Sequence, residues 1–469
     1  MSDVPKVSVI VTARNYASYL PTCIESVLGQ TFEDFEIVVV DDGSTDDTQA
    51  VLARYGARLR VLRTEGVGLA AASNLGIQAS AGRYVMRLDA DDYVDENILL
   101  VESTVLDRRP EIGLVYPDYY RVGATGEVLD CVRLMKVEEP GELLDRTPLA
   151  AGAMYRRECF EALGGYDERL RYQEDYDFWM RFTRRFRVMN VGLPLMYYRQ
   201  HGRNMSSNFP ERMQARGQVK RALVESAPPG PQSVLGFIPA RAWSHLGGKL
   251  PLKALGGRSL LSYTVEEALR VRWFDRVIVS TDDAEVAEEA RRLGAAVPFL
   301  RSASLSGPSV PVDEVLHHAL GELRAAEDYH PSIIVLLHVV SPFKRAEHIT
   351  EAIDTLLLHA VDSVISVCED RSFRWRPGPG GLVPVGFDKR HLRQDREIQY
   401  RENGAIYVIR RDAITRDSLL GSSTAWIEMG REESLHLESE FDFWIAERLI
   451  EEGLQAGPFR RRGPEPLGR

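Results

Sequence analysis

Three groups of carboxylates punctuate the first half of this 469-residue chain. Asp41-Asp42-Gly43-Ser44-Thr45-Asp46 closes the apolar run Glu36–Val40, Asp89-Ala90-Asp91-Asp92 closes Tyr84–Leu88, and Glu174-Asp175 lies within YQEDYDFW. Buried like charges repel, so acids gathered where strands stop call for a counter-charge. A divalent cation, Mg2+ or Mn2+, meets that need, because it takes oxygen ligands together with a diphosphate. Singly, each group has a plainer reading. DDGSTD is also a turn followed by a helix cap, LDADD a solvated loop, and EDYDFW a capped helix with Phe178 and Trp179 inside.

The second half holds a different chemistry. Ile238–Gly257 reads IPARAWSHLGGKLPLKALGG and sets glycines among Arg241, Lys249 and Lys253 directly after a strand-like run. Glycines let backbone N–H groups approach phosphates, and the cations neutralise them. The spacing is not GxxxxGK[ST], which disfavours a P-loop ATPase. The plain alternative is a glycine-rich turn with surface lysines.

Both groups need strands to position them. Val7–Asn15 (VSVIVTARN) and Val234–Arg241 (VLGFIPAR) each run from a buried-type strand into a polar turn, which is how a nucleotide-binding α/β domain begins. Glu36–Val40 is continuously apolar, as expected of a parallel strand covered on both faces. Leu20, Cys23, Ile24, Val27 and Leu28 follow helical spacing with Pro21 in the first turn, completing a right-handed βαβ unit. In the second half, Leu261, Val265, Ala268 and Leu269 mark a helix, and Val277–Val279, Ile333–Leu337 and Ser363–Val367 mark strands. The expected fold class is α/β, with two tandem Rossmann-like nucleotide-binding domains. The proline cluster APPGP at Ala227–Pro231 places domain one at 1–226, a linker at 227–233, domain two at 234–455 and a basic flexible tail at 456–469.

Composition narrows the partners. A net charge of −11 argues against nucleic acid as a ligand. The four cysteines are widely spaced with no CxxC pair, which favours the cytoplasm over a zinc or disulfide framework. No apolar run approaches the roughly 20 residues of a membrane span. The Arg460–Arg462 tail reads first as a solvated end, with peripheral contact at an anionic inner membrane surface as the alternative.

Taken together, the first-half motifs resemble the inverting family-2 glycosyltransferases of GT-A fold. The resemblance covers Val7–Asn208 and rests on VSVIVTARN, VVVDDGSTDDT, the GxxxAxNxG frame Gly68–Gly76, RLDADD, GGYDE at Gly164–Glu168, QEDYDFW and YRQHGRNMS at Tyr198–Ser206. It implies that Thr12 and Asp42 contact the donor nucleoside and that Asn74 lies in the nucleotide-binding frame. It implies that Asp89 and Asp91 hold the metal, and that Asp175 is the base that deprotonates the acceptor hydroxyl. His201 and Arg203 fall in a segment that closes over the diphosphate. The frame departs from the family at Ser73, where Arg usually precedes Asn74.

The second half resembles the cytidylyltransferases that make CMP-activated acidic sugars, the acylneuraminate type first and the CMP-Kdo type second. The resemblance covers Val234–Ile450, through VIVSTDDAEVAEEA, AVPFLR, VSPFKRAEHI, YRENGAIYV and ESEFDFWIAE. It implies that Arg241, Ser244 and Lys249 hold the CTP triphosphate, with Arg241 and Lys249 catalytic and Asp282 beside the nucleotide. Lys344, Arg393, Gln394 and Asn403 would face the sugar acid. The metal acids of the family align with His436 and Glu438, of which Glu438 is the candidate Mg2+ ligand, and His338 stands where a Gln usually touches the sugar. The resemblance also implies a homodimer through this half, by way of an inserted segment, Glu369–Ile398. The reading is a bifunctional enzyme of surface-glycan assembly. One half transfers a sugar from a nucleotide-sugar donor to a glycan acceptor, and the other activates an acidic sugar with CTP. The alternative is an active transferase fused to an altered or inactive scaffold domain.

Overall fold

The computed structural model describes residues 4–134, 136–137, 151–201, 208–228, 230–243, 247–386, 399–415 and 418–453. The chain divides into two compact units, Met1–Val219 and Lys220–Arg469.

The first unit is built on a nine-stranded sheet. Four strands run parallel in the order Arg60–Thr64, Phe35–Asp42, Val7–Ala13, Tyr84–Asp89. Short antiparallel Met154–Arg156 then joins Tyr84–Asp89 to Ile112–Val122, which pairs in parallel with Arg187–Arg199. All seven residues of Val7–Ala13 are buried, as a central parallel strand requires. The helix Leu20–Leu28 has proline in its first turn and buries Leu20, Cys23, Ile24 and Val27 against the sheet. On the opposite face of the sheet, in the helix Leu69–Ala79, a Cβ added at Gly76 would stand 2.4 Å from Ile10 Cγ2 and 3.0 Å from Val40 Cγ2. Only glycine lets the helix sit this close to the sheet.

The second unit holds a six-stranded sheet in the order Arg276–Ser280, Val234–Pro239, Ile333–Leu337, Gln399–Arg410, Ser363–Asp370, Thr424–Glu428. The first three are parallel, and Gln399–Arg410 runs antiparallel to both its neighbours. The expected strands and helices of both halves are present, and the α/β reading of the sequence holds. Among the described residues, no helix is long and apolar enough to cross a membrane.

Candidate functional site

In the first unit the parallel strands deliver their acids to one end. Thr12 sits in register with Val40 and Asp89, and its Oγ1 lies 3.5 Å from Asp89 Oδ1. Asp42, 5% exposed, accepts from Thr64 Oγ1 (2.6 Å) and from the Val67 and Gly68 amides (2.7 and 3.0 Å). It thus shapes the turn that enters the helix Leu69–Ala79. Asn74 is buried, and its amide ties that helix to Tyr166 and Glu168 at 2.9–3.0 Å. The GxxxAxNxG and GGYDE segments therefore meet through Asn74.

The acidic turn itself is crowded. Asp91 Oδ2 lies 3.0 Å from His201 Nε2, and Asp92 accepts from the Arg199 amide at 2.8 Å. Burial, and then the charge of Asp89, push the Asp91 carboxyl up, while the hydrogen bond from His201 pulls it down. Burial and the two neighbouring acids push Asp92 much further up. Asp92 Oδ2 is buried without a hydrogen-bond partner. Tyr16, whose phenol is also raised by burial and by these acids, closes one side. A divalent cation fits this donor set: carboxylates Asp89 and Asp91 remain partly open at 29% and 10% exposure, and one or two carboxylates plus substrate phosphates suffice for Mg2+. Among the described residues, no cluster of three His, Cys, Asp or Glu forms a ready cage.

Asp175 opens the helix Glu174–Phe182 and is half-buried, its Oδ1 accepting from the Tyr176 amide at 2.7 Å. What ties this helix to the acidic turn is Arg87, a residue not among the expected site residues. Its guanidinium, 3% exposed, lies 3.4 Å from Asp89 Oδ1 and 3.0 Å from Glu174 Oε1. Burial and neighbouring Asp175 raise Glu174 to about 7, against the pull of Arg87. Gln173, just before, takes the left-handed conformation (φ 63°) and accepts from Arg216 Nε at 3.1 Å. A signal for Arg87 existed in the sequence: one charged residue inside an otherwise apolar strand. Arg203 lies outside the described residues.

In the second unit, Gly247, Gly248, Lys249, Leu252, Lys253 and Glu285 line a pocket of about 510 Å³. Lys249 Nζ is held by Asp283 Oδ2 and Glu285 Oε1, both at 2.8 Å, and these bonds raise its pKa. Asp283 at the same time caps the helix Ala284–Arg292. Asp282 accepts from the Ala242 amide at 3.1 Å and so anchors the turn after Val234–Pro239. Arg241 donates to Gly307 O and lies over Trp243. Arg301, buried to 3% side-chain exposure, has Nε and Nη2 without hydrogen-bond partners, and its Nη2 is 3.6 Å from Asp282 Oδ1. It is the strongest candidate that the sequence reading did not single out, although it ends the AVPFLR segment. Ser244, Arg393 and Gln394 lie outside the described residues.

Three other expected residues are placed elsewhere. Lys344 is 1% exposed and donates inward to Thr264 Oγ1, His338 O and Ser341 O at 2.6–2.9 Å; burial lowers it to about 7. Asn403 is 3% exposed, bonded to Ser366, Ala405 and Ser434. Both brace loops from within, because a buried amide or ammonium must find every partner internally. Glu438 is 77% exposed beside His436, at 3.8 Å. Ser341 Oγ lies 3.0 Å from His436 Nδ1, and burial lowers His436. Asp442 turns its Oδ2 back to the Glu438 and Ser439 amides. Glu438 thus offers one exposed carboxylate, next to an imidazole that is a poor ligand for a hard cation.

Residues 8–121 match the family model of glycosyl transferase family 2, and residues 235–378 match that of the cytidylyltransferases. The chain carries a family-2 glycosyltransferase domain and a cytidylyltransferase domain. The glycosyltransferase domain is similar to an uncharacterized glycosyltransferase of Rickettsia prowazekii (strain Madrid E), 31% identical over 195 residues, or 40% of this chain and 60% of that protein. The cytidylyltransferase domain's relatives include N-acylneuraminate cytidylyltransferase A of Danio rerio, 29% identical over 222 residues, or 46% of this chain and 49% of that protein. The chain thus spans less than two thirds of the length of either relative. Among solved structures, S. aureus TarS 1–349 in complex with UDP-GlcNAc matches at 22% identity and TM-score 0.40, covering 47% of this chain and 66% of that one.

Proposed function

We propose that the chain is a bifunctional enzyme of surface-glycan synthesis. Its glycosyltransferase domain transfers a sugar, with inversion, from a nucleotide-sugar donor to a glycan acceptor. Its cytidylyltransferase domain joins CTP to an acidic 2-keto-3-deoxy sugar and releases pyrophosphate. The observation that carries the first activity is the acidic turn Asp89–Asp92 joined through Arg87 to Glu174-Asp175.

In the transferase domain, Asp42 and Thr12 border the donor nucleoside. Asp89 and Asp91 would hold Mg2+ or Mn2+, which would supply charge neutralisation for the departing diphosphate. His201 is bonded to Asp91 and would hold that carboxylate in place, and Arg203 follows two residues later in the sequence. Asp175 takes the proton from the acceptor hydroxyl as that oxygen attacks the anomeric carbon from the face opposite the leaving group. Arg87 keeps Glu174, and with it the start of the helix bearing Asp175, at the donor acids.

In the cytidylyltransferase domain, the glycine-lined pocket with Lys249 and Lys253 suits a triphosphate. Arg241 and Arg301 add cations beside Asp282. The triphosphate would take Lys249 from Asp283 and Glu285. The sugar hydroxyl oxygen then attacks the α-phosphate and gives its proton to water, while the bond from the α-phosphorus to the bridging oxygen breaks and pyrophosphate leaves with its charge on these cations.

A second reading, in which this domain is a nucleotide-binding scaffold, is favoured by His436, a poor ligand for a hard cation where the resemblance implies an acid. Pyrophosphate release from CTP and Mg2+ with a panel of nonulosonic acids and Kdo separates the two. Release that disappears in Lys249→Ala supports the enzyme, and no release by the folded wild type supports the scaffold. For the transferase, Asp175→Asn is expected to keep donor binding and lose at least about 10²-fold in transfer, the lower end of a general base's contribution. Unchanged transfer would remove Asp175 from that role.

A further inference from the structure

The transferase domain contains a continuous stack of six planar side chains that leads away from the acidic turn. His201, bonded to Asp91, lies parallel to Tyr19 at 5.0 Å and 13°. The Arg199 guanidinium lies 5.0 Å over Tyr19 and 5.3 Å over Tyr93. Tyr93 stacks on Tyr197 at 4.5 Å and 5°, and Tyr197 on Tyr120 at 5.2 Å and 25°. The outer three form a cross-strand row, since Tyr197 is the register partner of both Tyr93 and Tyr120.

The inner part of this stack is structural. Arg199 is 4% exposed and donates to Asp91 O, Gly123 O and Ala124 O at 2.8–3.4 Å. Its amide holds Asp92. The outer part differs. Tyr93, Tyr120 and Tyr197 are each half-buried. On the same strands, Tyr119 and Tyr198 pack against the apolar core, so the row Tyr93–Tyr197–Tyr120 faces away from it.

We propose that Tyr93, Tyr197 and Tyr120 form a binding track for a saccharide chain, the acceptor of the transferase, whose reactive end lies at Asp91 and Asp175. The inference rests on the transferase reading of this domain and goes beyond it by placing the acceptor and naming the side chains that hold it. Three properties select a saccharide. The row begins one residue past Asp92, and Arg199, which lies over Tyr93 and holds Asp91 O and Asp92, joins the two, so the row lies beside the acid cluster. It offers rigid ring edges tipped with hydroxyls, which suits a ligand that presents C–H patches and hydroxyls side by side. The outer row is three tyrosines, and the guanidinium behind it, Arg199, is buried with donors bonded to backbone carbonyls, so the row itself offers no cation to a phosphate backbone.

The test uses the full chain on a printed array of oligosaccharides containing hexoses, N-acetylhexosamines and uronic acids. Tyr197→Leu and Tyr120→Leu are expected to weaken capture of the saccharides bound by wild type at least tenfold. Tyr197→Phe and Tyr120→Phe keep every ring in the stack, guard against misfolding, and are expected to lose less. With a captured saccharide as acceptor, the loss appears as a raised KM with kcat held. Hydrolysis of nucleotide-sugar donors without acceptor is read in the same samples. If wild type hydrolyses no donor, the transferase reading fails while the array result still decides the track. Leu variants that bind within twofold of wild type overturn the track, as does a wild type that captures nothing from the array.

Discussion

Replacing Arg87 by Met probes how the transferase site is held together. Arg87 and Glu174 are 3% and 6% exposed at their side chains and 3.0 Å apart. Removing one partner of such a buried pair costs about 3–5 kcal/mol, because the other charge is left without compensation. At 1.36 kcal/mol per factor of ten, that is about two to four powers of ten in local opening. The assay is hydrogen exchange, corrected for intrinsic rates, on the amides of Tyr84–Asp89 and Glu174–Phe182. The deficit carries a pH signature. Burial and Asp175 already raise Glu174 to about 7, and Arg87 opposes them, so the variant raises it further. A carboxyl raised by folding contributes stability while it keeps its proton, and loses that contribution as pH rises through its folded pKa. The deficit should therefore be smaller near pH 6 than near pH 8.5. Adding Glu174→Gln should flatten that dependence. A loss of protection below tenfold, or a deficit unchanged between these pH values, would refute the reasoning.

Gly76→Ala puts a methyl 2.4 Å from Ile10 Cγ2 and should cost about 1–3 kcal/mol in urea unfolding of the first unit, the usual range for overpacking. Lys344, lowered by burial to about 7, is a penalty in the folded state below that pH. The penalty is relieved as pH rises from 7 toward its unfolded value, so wild type should gain about 2–3 kcal/mol over Lys344→Met between pH 7 and 9; a flat difference in urea midpoints would contradict this. Lys220 is fully buried and bonded to Glu351 Oε1 and Thr355 Oγ1 at 2.9 and 3.0 Å. Lys220→Met should cost about 3–5 kcal/mol, seen as lost exchange protection in the helix Ala346–His359, with Glu351→Gln restoring part of it.

Much of the architecture was legible in one dimension. A strand covered on both faces must be apolar throughout, so Glu36–Val40 and Ile333–Leu337 announced parallel strands. The helix Leu20–Leu28 announced itself by spacing and by Pro21. The acids at strand ends stood out because charge next to an apolar run needs a reason. Less legible were residues whose role comes from a partner far along the chain. Arg87 meets Glu174 across 87 positions, and Asn74 meets Tyr166 and Glu168 across more than 90. No local pattern reports such a pairing. Lys344 and Asn403 show the converse: their residue types suit a ligand, yet both face inward, because orientation follows from packing and not from type.

Sequence alone determined the α/β class and the two families, since period, charge and motif spacing are properties of the chain. Tertiary structure decided which of those groups share a site. It gathered Thr12, Asp89, Asp91 and His201 at one sheet end and bridged them to Asp175's helix through a buried arginine. It gave Lys249 two carboxylate partners and left Glu438 exposed. The physical reason is that burial and pairing depend on distances in space, and those exist only once the chain has folded.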